Sequence, residues 1–243
     1  MYVIGHRGAA GYAPENTLAS FGKAIEIGVD MIELDVHLSK DGVVVVHHDS
    51  ALDRTTSGKG EIKHHKWSHI NRLDAGSSFA KHYKNEKVPS LEDVIKLCTN
   101  KAGLLIEIKE GERFYPEIEE RIIELIGKYN AEKWCVVQSF HDEVIFKIHK
   151  LAPDIRVQKL LHFKPWFLPL LFDGKINKFT FGKYNFIESF NILYKYANRK
   201  FIEKAHKHGK KVMVWTVNNR NDIDKMKSLG VDGIISDYPD RCF

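Results

Sequence analysis

Carboxylates and bases fall on alternate positions of two short apolar runs. Met31-Ile32-Glu33-Leu34-Asp35-Val36-His37 alternates apolar and polar residues, and Leu104-Leu105-Ile106-Glu107-Ile108-Lys109 does so towards its end. Successive side chains of a strand point to opposite faces. Glu33, Asp35 and His37 therefore share one face, Glu107 and Lys109 the matching face of a neighbour, and Ile32, Leu34 and Val36 the reverse. Charged side chains turned into an interior are costly unless paired or metal-bound. Three crowded carboxylates, Glu33, Asp35 and Glu107, repel one another unless a cation or protons intervene. An all-oxygen set suits Mg²⁺, Ca²⁺ or Mn²⁺ over Zn²⁺. Internal ion pairing to Lys109 and Arg7 is the competing reading of the same residues.

Imidazoles form the second group. Val36 to Asp49 reads as a hairpin with a two-residue turn at Asp41-Gly42. With Lys40 paired to Val43, His48 lies opposite Asp35, and the returning strand carries a histidine to the carboxylates; His37 and His47 are left to the hairpin. His6, at the end of Tyr2-Val3-Ile4-Gly5-His6-Arg7, supplies a second imidazole. Two histidines beside a cation, with Arg7 and Lys109 to hold an anion, suit acid/base-assisted phosphoryl chemistry.

These groups meet only if strands bring them together. Short runs rich in β-branched residues recur at about 2–5, 31–36, 104–109, 135–140, 156–161, 190–193, 212–217 and 233–237. Amphipathic stretches lie between them. Asn16 is the expected N-cap of a helix carrying Leu18, Phe21 and Ile25 and ending at Gly28. Leu91, Val94, Ile95 and Leu97 follow Pro89-Ser90 at helical spacing; Ile118, Ile122, Leu125 and Ile126 stripe a third helix, and Ile202 with Ala205 a fourth that stops at Gly209. Strands alternating with helices in this number predict an α/β chain folded as a (β/α)8 TIM barrel, with its active site at the C-terminal strand ends. His6, Arg7, Ser139, Trp215, Asn218 and Asp237 fall near those ends. An open doubly wound sheet is the alternative, but Gly5-His6-Arg7-Gly8-Ala9-Ala10-Gly11 after the first strand lacks the GxGxxG spacing. Residues 1–243 thus read as a single barrel domain with a small subdomain inserted at about 49–88, after the second strand. The aromatic stretch 162–189, interrupted by Pro165 and Pro169, is not an ordinary barrel helix.

Composition narrows the setting. The chain has 243 residues, 43% hydrophobic and 28% charged, with a formal net charge of +5. Collagen-like, disordered and coiled-coil classes are excluded. The basic residues are dispersed, without a block that would grip nucleic acid, and the bias suits small anionic substrates. Cys98, Cys135 and Cys242 are odd in number and lack metal or redox spacing, which favours a reducing compartment. No secretory signal is visible, and the longest near-apolar run, Trp166 to Phe172, is too short to span a bilayer. A cytoplasmic protein with no transmembrane segment is expected.

Other residues invite chemistry less strongly. His64, His65 and His69 on the insertion read better as surface histidines than as a metal site, since no carboxylate or Cys completes a set. Gly58-Lys59-Gly60 reads as a turn, and Cys135 as a small core residue. Residues 163–172 follow a strand and are nearly all apolar. They either pack on the barrel wall or form a hydrophobic lip that covers a leaving group, touches a lipid surface peripherally or joins two copies.

Taken in order, the motifs match a known pattern. His6-Arg7-Gly8, Pro14-Glu15-Asn16-Thr17, Glu33-Leu34-Asp35-Val36, His48-Asp49 with Leu52 and Arg54-Thr55-Thr56, Glu107-Ile108-Lys109, Ser139-Phe140, Val214-Trp215-Thr216-Val217-Asn218 and Asp237-Tyr238-Pro239 run over nearly the whole chain. The chain resembles the glycerophosphodiester phosphodiesterase family. The resemblance implies a TIM barrel with an insertion, one divalent cation (Mg²⁺ or Ca²⁺, with Mn²⁺ a further candidate), and cleavage of glycerophosphodiesters to glycerol 3-phosphate and an alcohol. It assigns Glu33, Asp35 and Glu107 to the metal, and His6 and His48 to proton exchange with nucleophile and leaving group. Arg7 and Lys109 would clamp the phosphate, and Trp215 with Phe140 would shape the glycerol pocket. Residues 162–189 depart from the pattern, at the place where the leaving alcohol would be selected.

Two other functions compete. A phosphoinositide phospholipase C or phospholipase D-like barrel also pairs histidines near an anion; the Glu-Leu-Asp-Val and Glu-Ile-Lys motifs favour the first reading. A catalytically silent phosphate-binding barrel would have lost a ligand or a histidine, and none is missing here.

Overall fold

Val, Ile and Leu at successive positions cover both faces of a strand with apolar surface, which suits strands enclosed by helices on one side and a barrel interior on the other. The computed structural model describes residues 1–161 and 178–243. Its strands are β1 (Tyr2–Gly5), β2 (Met31–Leu38), β3 (Val44–Val46), β4 (Gly103–Ile108), β5 (Cys135–Ser139), β6 (Arg156–Leu161), β7 (Ser189–Leu193), β8 (Lys211–Trp215) and β9 (Gly233–Ser236). All but β3 pair in parallel, in the order β1-β2-β4-β5-β6-β7-β8-β9, and β9 pairs back to β1 to close the barrel. The short β3 lies antiparallel beside β2. The (β/α)8 architecture read from the sequence is the architecture observed.

The described α-helices are α1 (Leu18–Ile27), α2 (Trp67–Ile70), α3 (Leu91–Cys98), α4 (Ile118–Lys128), α5 (Asp142–Leu151), α6 (Lys178–Lys183), α7 (Arg199–Lys207) and α8 (Arg220–Leu229). Local chemistry sets their ends. Ser90 and Asp93 form a capping box at the start of α3, and Asn198 accepts from the Phe201 N–H at the start of α7. The N-cap of α1 is Thr17, not Asn16. The Thr17 hydroxyl accepts from the Ser20 N–H, whereas Asn16 adopts a left-handed φ of 57° and turns its amide to Asp35.

Apolar residues segregate into two layers around the sheet. Ile32, Leu34, Val36, Leu104, Ile106 and Ile108 face outward into the large core shared with the helices. Inside the barrel, Ile4, Met31, Leu105, Val136, Met213 and Ile235 form an apolar floor. Two residues further along the same strands stand Glu33, Glu107 and Gln138, so the interior changes from apolar to polar one layer up. Ile106 is fully buried in the outer core. Ile106→Ala is expected to cost about 2–5 kcal/mol of unfolding free energy, measured by urea denaturation. A cost below about 1 kcal/mol would mean that the outer core is not packed as described.

Between β3 and α3, Leu52, Ile62, Ile70, Leu73, Ala75 and Val88 bury one another and Val45 in a separate small cluster. The insertion therefore has its own apolar centre. Its first residue, Asp49, bonds the ring of His48.

Candidate active site

The His6-Arg7-Gly8 segment leaves β1 in a bend that brings its backbone to Glu33. Arg7 has φ 50° and Gly8 φ 92°; a Cβ on Gly8 would lie 2.4 Å from the Ser20 hydroxyl. Only glycine fits there. Ser20 Oγ donates to the Arg7 carbonyl at 2.9 Å, and the Arg7 N–H donates to Glu33 Oε2 at 3.0 Å.

Glu33, Asp35 and Glu107 meet at the centre. Each offers a carboxylate oxygen within 4.8 Å of the others, and all three are buried. Parallel pairing places Asp35 beside Glu107, as the period-two argument requires. The cations named as the competing explanation are present too. Lys109 Nζ lies 2.8 Å from Glu107 and 2.9 Å from Asp35, and Arg7 Nε lies 3.3 Å from Asp35. Two cations do not satisfy the cluster evenly. Burial opposes ionisation of Asp35, but Lys109 and Arg7 outweigh it and hold its carboxyl well below the usual range. Burial together with the charges of Asp35 and Glu107 drives the Glu33 carboxyl well up. Burial and Asp35 push Glu107 up to about 7. This imbalance, the all-oxygen chemistry and the close spacing fit a hard divalent cation.

Each candidate imidazole has one nitrogen committed to a carboxylate. His6 Nδ1 is 2.6 Å from Asp237 Oδ1, and Asp237 is held by the Asn218 amide at 2.6 Å. His48 Nδ1 is 2.6 Å from Asp49 Oδ1, and Arg54 Nε donates to Asp49 Oδ2 at 2.7 Å. Carboxylate acceptors place the Nδ1 proton and leave Nε2 for chemistry. Burial lowers the His48 pKa, Asp35 works against it, and Lys109 and Arg7 add to the fall.

The hairpin differs from its sequence reading by one residue. Val36 pairs with Val46, His37 with Val45 and Leu38 with Val44, so Lys40 does not pair with Val43. Ser39 N–H instead donates to the Val43 carbonyl, and Lys40, Asp41 and Gly42 form a three-residue loop with Gly42 at φ 80°. The left-handed glycine accommodates the extra residue, and Ser39 Oγ stabilises the loop by accepting from the Val43 N–H. His47 thereby falls opposite Asp35, its N–H donating to the Asp35 carbonyl at 3.0 Å, while its ring bonds Thr55 and the Asp49 carbonyl. His48 lies beyond β3 and borders the cavity all the same. His37 holds the His48 carbonyl through Nε2 at 3.0 Å, and burial brings its pKa down to about 4.

A cavity of about 310 Å³ opens over these groups, bordered by His6, Arg7, Glu33, His48, Glu107 and Lys109. Phe140 and Trp215 border it as well, with ring centroids 5.7 Å apart in an edge-to-face arrangement. Asp35 lies beneath, 1% exposed. All nine site residues singled out in the sequence therefore gather at the C-terminal end of the barrel. Sequence reasoning gave no role in the site to Asp49, Gln138 or Asn218 and offered Asn16 only as a helix cap; these four hold His48, Glu33, Asp237 and Asp35. Asn16, Asp49 and Asn218 stand inside the motifs quoted above, and Gln138, two residues beyond Val136 on β5, shares its inner face.

The remaining candidates lie elsewhere. His65 and His69 stack at 5.0 Å, and His64 pairs with Glu61 at the surface. Among the described residues, the Glu33-Asp35-Glu107 group is the cluster with metal-ligand spacing. Residues 163–172, the candidate lip, lie outside the described residues.

Residues 6–241 match the model of the glycerophosphoryl diester phosphodiesterase family. The chain belongs to that family. It is 40% identical over 240 residues to YhdW of Bacillus subtilis, covering 99% of this chain and 96% of that one. It is 38% identical over 243 residues to the glycerophosphodiester phosphodiesterase of Caldanaerobacter subterraneus, covering 98% and 94%. A phosphodiesterase of Oleispira antarctica, solved with the product sn-glycerol-3-phosphate, is similar in structure with a TM-score of 0.88 and 28% identity, covering 100% of this chain and 95% of that one. Family membership and barrel architecture thus agree over nearly the full length. Among the described residues, no helix is long and apolar enough to cross a membrane.

Proposed function

We propose that this chain hydrolyses glycerophosphodiesters to glycerol 3-phosphate and an alcohol, with one divalent cation and two histidines. The observation that carries the reading is a buried group of three carboxylates, two of them bordering one cavity with two imidazoles, in a chain from this family. Glu33, Asp35 and Glu107 would hold Mg²⁺, Ca²⁺ or Mn²⁺; bound there, the ion supplies Lewis-acid stabilisation of charge on the phosphoryl oxygens. Arg7 and Lys109 hold the non-bridging oxygens and orient the phosphorus. One imidazole takes the proton of the attacking water as the P–O bond to the alcohol breaks, and the other donates a proton to the departing oxygen. Asp237 and Asp49 keep each ring in one tautomer throughout. Phe140 and Trp215 pack on the carbon face of the glycerol and exclude water from it.

Residues 1–243 act on this reading as one catalytic domain. The insertion contributes Asp49 and Arg54, which steady His48 from outside the barrel.

The test is glycerol 3-phosphate release from diesters of several alcohols by metal-loaded protein. Release of glycerol 3-phosphate is expected from each. Release of the alcohol phosphate instead, or no turnover of any diester, would overturn the assignment. Trp215→Ala is expected to raise KM roughly 10-fold, equivalent to about 1.4 kcal/mol of lost contact, with kcat within a few-fold. A fall in kcat with unchanged KM would place Trp215 in the chemistry rather than in binding.

A further inference from the structure

The barrel interior above the apolar floor is polar on β5, β6 and β7 as well as on β2 and β4, and the chemistry above uses none of those extra residues. Gln138, Gln158, Ser189 and Asn191 are at most 1% exposed. Interior layers of such barrels are usually filled by branched apolar side chains, and buried amides are costly unless bonded. Here every amide is bonded, and the bonds have a direction. Ser189 Oγ donates to Asn191 Oδ1 at 2.6 Å. Asn191 Nδ2 donates to Gln138 Oε1 and to Gln158 Oε1, both at 2.7 Å. Gln138 Nε2 then donates to Glu33 Oε1 at 3.4 Å, and Gln158 Nε2 to Glu188 Oε2 at 3.2 Å.

A carboxamide has one accepting end and one donating end. Because Asn191 offers its NH₂ to both glutamine oxygens, both glutamines must turn their own NH₂ groups away from it. One meets Glu33, and the other meets Glu188 at the opposite end of the chain of bonds. Reversing Gln138 would set its carbonyl against the Glu33 carboxylate and its NH₂ against that of Asn191. Glu33 is thus held on both oxygens, Oε1 by Gln138 and Oε2 by the Arg7 N–H at 3.0 Å. Two donors on two oxygens define the plane of the carboxylate.

We infer that Asn191 is a positioning residue for the carboxylate cluster, acting through Gln138 to fix the orientation of Glu33. The inference rests on the reading of Glu33 as a metal ligand. Groups that orient metal ligands typically change affinity by roughly 10–100-fold when removed. The two arms leaving Asn191 provide an internal control, since only one of them reaches the cluster.

The experiment is calorimetric titration of metal-free protein with Mn²⁺, comparing wild type, Glu33→Gln, Asn191→Leu, Gln138→Leu, the Asn191→Leu/Gln138→Leu double variant and Gln158→Leu. Circular dichroism melting establishes that each is folded; Asn191→Ser, which is too short to reach both glutamines, replaces Asn191→Leu if the latter is not. Asn191→Leu and Gln138→Leu are each expected to weaken Mn²⁺ binding roughly 10-fold or more, and the double variant no further than Gln138→Leu. Gln158→Leu is expected to stay within about 2-fold of wild type while losing stability comparably to Asn191→Leu. Wild-type affinity in folded Asn191→Leu, strictly multiplicative losses in the double variant, or an equal loss in Gln158→Leu would overturn the inference. Loss in Glu33→Gln without loss in Asn191→Leu would sink the positioning role alone. Equal binding by wild type and Glu33→Gln would instead overturn the ligand reading, and this inference with it.

Discussion

Replacing Glu107 by Gln is expected to lower kcat by on the order of 10³-fold or more, since a bound divalent ion supplies several kcal/mol of transition-state stabilisation. Glutamine keeps the shape of the side chain and can still bond Lys109, so the barrel should fold. It removes one anion from a cluster in which burial and Asp35 already push the Glu107 carboxyl up to about 7. Neutralising that position relieves repulsion with Asp35, and the melting temperature is expected to hold or rise. Loss of activity with retained or raised stability separates a functional carboxylate from a structural one. The check is steady-state kinetics at saturating metal beside thermal melting. Near wild-type kcat, or a fall in activity that simply follows a fall in melting temperature, would contradict the assignment.

His6→Ala and His48→Ala are each expected to lower kcat about 10²–10⁴-fold, with smaller effects on KM. Both rings border the cavity, and both have Nδ1 committed to a carboxylate, so each substitution removes a poised Nε2. A diester with a nitrophenolate leaving group needs little protonation on departure. It should therefore partly restore turnover in one variant and not in the other, and the restored variant marks the acid. Equal turnover by His48→Ala and wild type on alkyl diesters would show that bordering the cavity does not place His48 in the reaction.

Period-two alternation along β2 and β4 was enough to put Glu33, Asp35 and Glu107 on one inner face, because parallel strands in register keep that face in common. The hairpin was less legible. Its register depends on whether Gly42 takes a left-handed conformation that admits a three-residue loop, and Asp41-Gly42 is compatible with either length. His48 borders the cavity even though the register is shifted by one: pairing continues as far as His47, which bonds Asp35 through its backbone, and His48 follows it at the cavity wall. The helix N-cap was misplaced by one residue for a related reason. Asn16 and Thr17 both suit a cap, and a distant partner, Asp35, claims the Asn16 amide. The amide network from Asn191 to Glu33 joins residues 53 and 105 positions apart, so no local pattern announces it. Alternation shows that Gln138 and Asn191 point inward, but not what they meet there.

The central claim is that the buried trio binds the cation on which diester cleavage depends. The most direct measurement is glycerol 3-phosphate release by protein stripped with chelator and dialysed, then titrated with Mg²⁺, Ca²⁺ or Mn²⁺. Negligible release is expected from the stripped protein, with recovery by at least one of these ions, saturating at one equivalent per chain under tight-binding conditions. Full activity in the stripped protein, with its metal content shown to be negligible, would contradict the claim.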